Sequence, residues 1–374
     1  MEKKSVFKKI KNIAIQIIIG GSVGYIVFHL LPSLGFPRLS LPRGSLISFI
    51  VCFVLQIAIH ELGHLMAGKI SGYKLLWIGI FNTTFVKKGR KWIRIKINVE
   101  GILGHCLMSP PEMKNGKFPF VFYTLGGSLM NFLVSAISLA LYFIFFPTYW
   151  IFVTFAGVGI FLGIINIIPL NIGGIANDGY DVLKRLKSDA ERRSFWHLCR
   201  FYEDMIIKDV RPRDMSDEQL ALLSSKENQD NDLDVVVEIF RLNRLCDRHE
   251  FEKAKILTEK LLNTSDDMIA LVKNDLICAL LFLELIGECR KEEVERLYTK
   301  ELKDYIKTTS SYPSRQLLLY AYAKLFLQDD TEATKALEKF NKVALSYPFG
   351  GEVEGDRELI ELVDKLAIEK KNFQ

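Results

Sequence analysis

From Phe118 to Asn177 the chain carries no Asp, Glu, Lys, Arg or His. A water-soluble domain of ordinary size has no means of hiding so long an unbroken run, whereas a bilayer core asks for about 20 apolar residues per helical crossing. A purely soluble globular protein is thereby excluded. The run divides at Pro147 and the aromatic residues around it, giving spans Phe118–Phe146 and Trp150–Leu170. Two further apolar stretches precede it. Ile10–Leu31 follows the lysines at positions 3, 4, 8, 9 and 11 and has no small-x-small cleavage site after it, so it reads as an uncleaved span. Ser45–Gly68 is the other. About four transmembrane helices are expected.

Charge divides the chain in two. Met1–Asp181 holds 17 Lys+Arg and 6 Asp+Glu, a net charge of +11, and the remainder carries −6, which together give the overall +5. Ten of the basic residues lie between Lys69 and Lys117, against Glu100 and Glu112 alone. The positive-inside rule then places the N-terminus, the 69–117 loop and everything after the fourth span in the cytoplasm. These basic residues flank apolar spans and accompany no nucleic-acid motif, so no nucleic-acid partner is expected. Six cysteines form no C-x-x-C pair, as suits free thiols in a reducing compartment. The Lys- and Ile-rich composition suits a bacterial cell membrane.

Within the basic loop the hydrophobic period changes. Ile93, Ile95, Ile97 and Val99 alternate with Trp92, Arg94, Lys96 and Asn98, the two-residue period of a strand. Lys87-Lys88-Gly89-Arg90 is a hairpin turn, with Leu76–Val86 as the partner strand. A small β-hairpin on the membrane surface is expected, either as a passive cover or as an edge strand able to pair with an extended peptide. Gly104-His105-Cys106, just beyond it, is assigned to structure and not to a metal site.

The second span ends His60-Glu61-Leu62-Gly63-His64. On a helix His60 and His64 lie one turn apart on one face and can grip a single Zn2+, while Glu61 reaches a water beside it. Ionisable residues inside an apolar span are expensive to bury, and a metal would give all three a common purpose. Gln56, one turn before His60, is either a partner orienting a ligand or a tolerated polar residue. A catalytic zinc wants a third protein ligand. The uncharged run first breaks at Asn177-Asp178-Gly179, on the side of the membrane where His60 and His64 lie. Asp178 is therefore a candidate ligand, with Asp181 as a competitor, and the alternative is that Asp178 caps the following helix, Gly179–Lys187.

The combination of these motifs resembles the site-2-protease class of intramembrane zinc metalloproteases. That family has HExxH at the end of one transmembrane helix and N-x-x-P leading to D-G two helices later. Here these are His60–His64, Asn166-Ile167-Ile168-Pro169 and Asp178-Gly179, with Gly126-Gly127-Ser128-Leu129-Met130-Asn131 similar to the small-residue and Asn pattern of the middle helix. The resemblance covers residues 45–180. It implies that His60, His64 and Asp178 bind one zinc per chain, that Glu61 is the general base, and that Asn166 and Pro169 shape a substrate-binding loop. Asn131 would lie close to the site, and a helix–helix hydrogen bond is the other use for it. The interval from Asn166 to Asp178 is longer than the family's commonest form, and Asn177 stands where Leu is usual.

After Asp181 the chain is charge-rich and helical in pattern. Helix pairs recur at about forty residues: first members near Asp234–Leu245, Asp267–Leu285 and Ser314–Leu327, second members opening near Glu250, Arg290 and Asp330. The last pair resembles a tetratricopeptide-like hairpin, whose stacks bind protein partners. The expected architecture is thus an all-α polytopic membrane protein with a small surface hairpin and a soluble α-helical C-terminal domain. Its parts are a membrane-embedded protease domain (1–180), a helical linker (181–232) and a cytoplasmic helical domain (233–374). The function expected is cleavage of a membrane-spanning or membrane-associated protein or peptide near the cytoplasmic face. The alternative is a non-catalytic membrane scaffold of the same fold that binds partners through its cytoplasmic helices.

Overall fold

The computed structural model describes residues 45–96, 103–172, 175–223, 232–264 and 270–372. The expected first span, Ile10–Leu31, lies outside them. The chain is mostly helical with a small antiparallel sheet, and it forms two compact units.

The first unit is built on three apolar helices, α1 (Ser45–Ile70), α2 (Phe120–Ile144) and α3 (Ile151–Ile167), which pack against one another. Of the four expected spans, two appear as helices long and apolar enough to cross a membrane, α1 and α2. At 17 residues α3 is shorter than the expected Trp150–Leu170. Its end has a local cause: Pro169 forces Ile168 into extended backbone (φ −65°, ψ 120°), which stops the helix at Ile167.

Two of these helices bury many polar and small residues and expose large apolar ones. On α2 the buried residues include Thr124, Gly126, Gly127, Ser128, Asn131, Ser135 and Ser138 beside Phe120, Tyr123 and Tyr142, while Leu129, Leu133, Ile137 and Phe143 point outward. On α1, Gln56, His60, Glu61 and His64 are buried, and Phe49, Leu55, Leu62 and Met66 are exposed. Small residues let the helix backbones approach closely. A Cβ on Gly63 would collide with Gly126 O, and one on Gly126 would come within 2.6 Å of Ala67 Cβ. Beyond α3, two-residue strands β5 (Asn171–Ile172) and β6 (Ile175–Ala176) pair and lead into α4 (Asp178–Lys187), which packs on α2 and α3.

The expected hairpin is a larger sheet. Strands β1 (Lys74–Ile80), β2 (Thr83–Lys88), β3 (Lys91–Lys96) and β4 (Gly104–Ser109) are ordered β3-β2-β1-β4. The Gly89-Arg90 turn lies where expected, with Lys88 opposite Lys91. The expected partner strand Leu76–Val86 is instead broken into β1 and β2 by a second tight turn at Phe81-Asn82, with Ile80 opposite Thr83. Phe81 takes φ 52° there, a backbone state in which a bulky side chain is unusual and which no glycine advertises. Positions 97–99 of the expected second strand lie outside the described residues.

Strands β1–β3, the Leu107–Ser109 end of β4 and residues from Ser188 onward form the second unit. Leu76 and Val86 share a cluster with Ile206, and Glu203 accepts from Ser109 Oγ (2.5 Å) and pairs with Lys74 (3.1 Å). The sheet therefore groups with the C-terminal helices and not with the apolar ones. Those helices are α5 (Asp189–Ile207), α6 (Asp217–Leu223), α7 (Asp232–Asp247), α8 (Phe251–Thr264), α9 (Ala270–Ile286), α10 (Lys291–Leu297), α11 (Lys300–Thr308), α12 (Pro313–Ala321, continued by a π-helical turn to Leu327), α13 (Asp330–Ala344) and α14 (Gly350–Asn372). Residues 188–223, expected within a linker, form α5 and α6 and contribute Met205, Leu220 and Leu223 to a buried cluster. The expected second helix opening near Arg290 is interrupted after Leu297, and Thr299 caps its continuation by accepting from Leu302 N–H.

The Gly63–Gly126 contact makes a prediction. Gly126→Val should lower unfolding free energy by about 1–3 kcal/mol through overpacking against Ala67 and Gly63. Leu129→Val, on the outward face, should change it by about 0.5 kcal/mol or less. Thermal unfolding of the detergent-solubilised protein followed by circular dichroism checks both.

Candidate metal centre

Four elements of the first unit bring the site together: α1 supplies His60, Glu61 and His64, α4 supplies Asp178, α2 supplies Asn131 and the Tyr123 carbonyl, and the start of β4 lies against Glu61. His60 Nε2 is 3.1 Å and His64 Nε2 3.4 Å from Asp178 Oδ2, and one ligand atom from each of the three residues lies within 4.8 Å of the others. The expected trio is thus assembled, and Asp181 is not part of it. Asp181 instead pairs with Arg185 one turn along α4 (2.8 Å).

Hydrogen-bond directions fix what these atoms present. Phe155 O is a backbone carbonyl and can only accept, so Gln56 turns its Nε2 toward it (3.0 Å). Gln56 Oε1 then accepts from Asn131 Nδ2 (2.7 Å), and the same Nδ2 donates to Gln56 O (3.0 Å). Asn131 Oδ1 is left facing His60, whose Nδ1 donates to it at 2.6 Å. The ring proton of His60 therefore sits on Nδ1 and its lone pair on Nε2. His64 reaches the same state more directly, because its Nδ1 donates to Tyr123 O (3.0 Å). Gln56 is thus hydrogen-bonded to Asn131 and Phe155 O, and Asn131 bridges α1 and α2 and meets His60 at once.

With Nδ1 engaged in each ring, both Nε2 atoms and the Asp178 carboxylate face each other. In the neutral rings these are lone pairs, and a cation lying among them would satisfy all three groups. Nitrogen and oxygen ligands about 2.0–2.1 Å from a tetrahedral ion stand roughly 3.4 Å apart, close to the two separations measured here. Space has also been kept. A Cβ on Gly127 would meet the His60 ring, and one on Gly104 would strike the Glu61 carboxylate. The residues present fit a divalent metal.

Glu61 stands apart from this arrangement. It is 5% exposed, with His60 and His64 as its nearest charge partners. A buried carboxylate is costly, and the two rings direct Nδ1 to Asn131 and to Tyr123 O and not to it.

Asp178 reaches the histidines because Asn177, not Asp178, caps α4. Asn177 Oδ1 accepts from Tyr180 N–H, three residues on, and from Leu170 N–H, both at 3.0 Å, and its Nδ2 donates to Ile165 O and Ile168 O at 2.6 Å. All its polar capacity is used to clamp the end of α3 to the start of α4. Asp178, relieved of capping, turns inward with 21% of its side chain exposed. Gly179 completes the junction, since any Cβ there would run into Ile167 O. The cap was available to sequence reading as an Asn directly before a helix, but it registered only as a replacement for Leu. Asn166 lies outside the metal group, its Nδ2 donating to Leu162 O one turn back (3.0 Å), and Pro169 acts by ending α3. His105 and Cys106 sit in β4 and do not join the metal group either, and Cys106 O accepts from Tyr123 OH (2.6 Å).

No protein-family model, curated protein or solved structure matches this chain.

Metal analysis tests the site directly. The native protein should bind one divalent ion per chain, and His60→Ala, His64→Ala and Asp178→Ala should each abolish stoichiometric binding. Asn131→Leu frees the His60 ring and should weaken affinity about 10–100-fold. Competition with a chromophoric chelator, alongside elemental mass spectrometry, reads both effects.

Proposed function

We propose that the chain is an intramembrane zinc endopeptidase of the site-2-protease type, cutting a membrane-spanning or membrane-associated protein or peptide near the cytoplasmic face. The observation that carries this reading is the buried Glu61 carboxylate beside His60, His64 and Asp178, whose ligand atoms converge on one point. A binding scaffold has no use for a buried carboxylate there. Hydrolysis needs one.

The outward apolar faces of α1 and α2, both long enough to cross a membrane, support a bilayer setting. In this reading Ile10–Leu31 and α3 complete a multi-pass domain. The basic residues of the sheet region hold the C-terminal ends of α1 and α3 at the cytoplasmic side, together with the C-terminal helices.

His60, His64 and Asp178 would hold the zinc. When bound, the ion polarises the scissile carbonyl and lowers the pKa of water to about 7. Glu61 takes the proton of the water that attacks the carbonyl carbon and delivers it to the amide nitrogen as the C–N bond breaks. Asn131 and Tyr123 O keep the two imidazoles aimed while charge shifts across the site. A helical substrate must open before its amides are accessible. Gly104, at the start of β4, lies beside Glu61, where an extended backbone would approach the base.

The decisive comparison is native protein against Glu61→Gln in membrane fractions of expressing cells. The variant should retain its metal and lose cleavage by about 10²–10⁴-fold, so that peptide termini generated inside or beside a membrane segment vanish. Matching termini from both proteins, each folded and abundant, would favour the non-catalytic scaffold. A chelator should abolish cleavage by the purified protein, and added Zn2+ should restore it.

A further inference from the structure

We infer that the groove between α11, α12 and α13 is a binding site for an acidic peptide segment in extended form. The groove has a volume of about 460 Å³, within the roughly 300–1,000 Å³ of small-ligand sites. Lys303 and Lys307 line one side, one turn apart on α11, and Lys339 and Lys342 line the other on α13. None of the four makes an ion pair among the described residues, although the half of the chain after Asp181 carries a net charge of −6. Lys303 Nζ lies 4.7 Å from the Tyr298 ring centre, the one cation contact in the set. Like charges at these helical spacings oppose folding slightly, and the surrounding acidic residues have not been used to neutralise them.

A second observation sharpens the occupant. Gln316 lines the groove at 2% exposure, and its Nε2 donates to Ser310 O (2.8 Å). That bond fixes the amide orientation and leaves Oε1 buried with no donor. The missing partner is a hydrogen-bond donor, which a peptide N–H supplies and an ionised phosphodiester or phospholipid phosphate does not. Ile306, Leu319 and Val343 provide apolar floor between the lysines. Tyr298 is the only aromatic ring lining the groove, so there is no stacking platform of the kind that single-stranded nucleic acid uses. Anionic groups for the rim, a hydrogen-bond donor for the floor and an apolar side chain between them describe an extended peptide rich in Asp or Glu.

The test uses the full chain in phosphatidylcholine nanodiscs and the fluorescein-labelled pentapeptides Glu-Val-Glu-Val-Glu and Gln-Val-Gln-Val-Gln, read by fluorescence anisotropy. The acidic peptide should bind at least about tenfold more tightly, and the preference should shrink as salt is raised. Joint Lys307→Glu and Lys339→Glu substitution should abolish the preference. Both side chains are exposed, and an unchanged melting profile shows that the fold persists. Gln316→Leu should weaken both peptides several-fold without changing their ratio. Equal binding of the two peptides by the native protein, or acidic binding indifferent to the charge reversals, overturns the inference. So does equal displacement of the peptide, charge for charge, by phosphatidylglycerol vesicles or an oligodeoxynucleotide, which would assign the groove to lipid or nucleic acid. The Glu61→Gln protein should bind identically, so this result stands whichever way the hydrolysis experiment falls.

Discussion

The orientation of His60 in the candidate metal site depends on a carbonyl that can only accept. Phe155 O turns the Gln56 amide, Gln56 turns Asn131, and Asn131 places the proton of His60. Each of these groups has two orientations in isolation and one in sequence with its neighbours. Because the column is buried among helices whose outer faces are apolar, no water competes for its donors and acceptors, and a wrong orientation anywhere would leave a lone pair facing a lone pair. The small residues of α2 serve the same end. They let α1 and α2 approach closely enough for side chains as short as Asn and Ser to bridge them, which larger residues would prevent.

Much of this was legible in the sequence. Helical periodicity alone puts His60 and His64 on one face, and the absence of any charge between Phe118 and Asn177 leaves Asp178 as the first acid to emerge from the apolar run. What was not legible involves either an unmarked backbone state or a partner remote in sequence. The Phe81-Asn82 turn carries no glycine, so Leu76–Val86 reads as one strand until its register is seen. The role of Asn177 depends on four backbone groups spread from Ile165 to Tyr180, and a single position cannot announce that. Gly104 lies beside Glu61, yet 43 positions separate them, and β4 has no alternation to reveal it. Composition pointed away from the lysine groove, since the C-terminal half is acidic on average while the groove collects its basic residues from two helices about forty positions apart.

The burial of His60, Glu61, His64 and Asp178 is poorly explained as a device for stability. Well-packed apolar residues in place of buried ionisable groups are often neutral or stabilising, and the outward apolar faces show that this chain has such residues to spare. The four groups also divide by function. His60 and His64 are held by Asn131 and Tyr123 O and meet Asp178, whereas Glu61 lies beside this group and outside it. Glu61 is held next to the cluster but outside it, with the Gly104 backbone so close to its carboxylate that no side chain would fit there, and that is the placement the proposed general base requires.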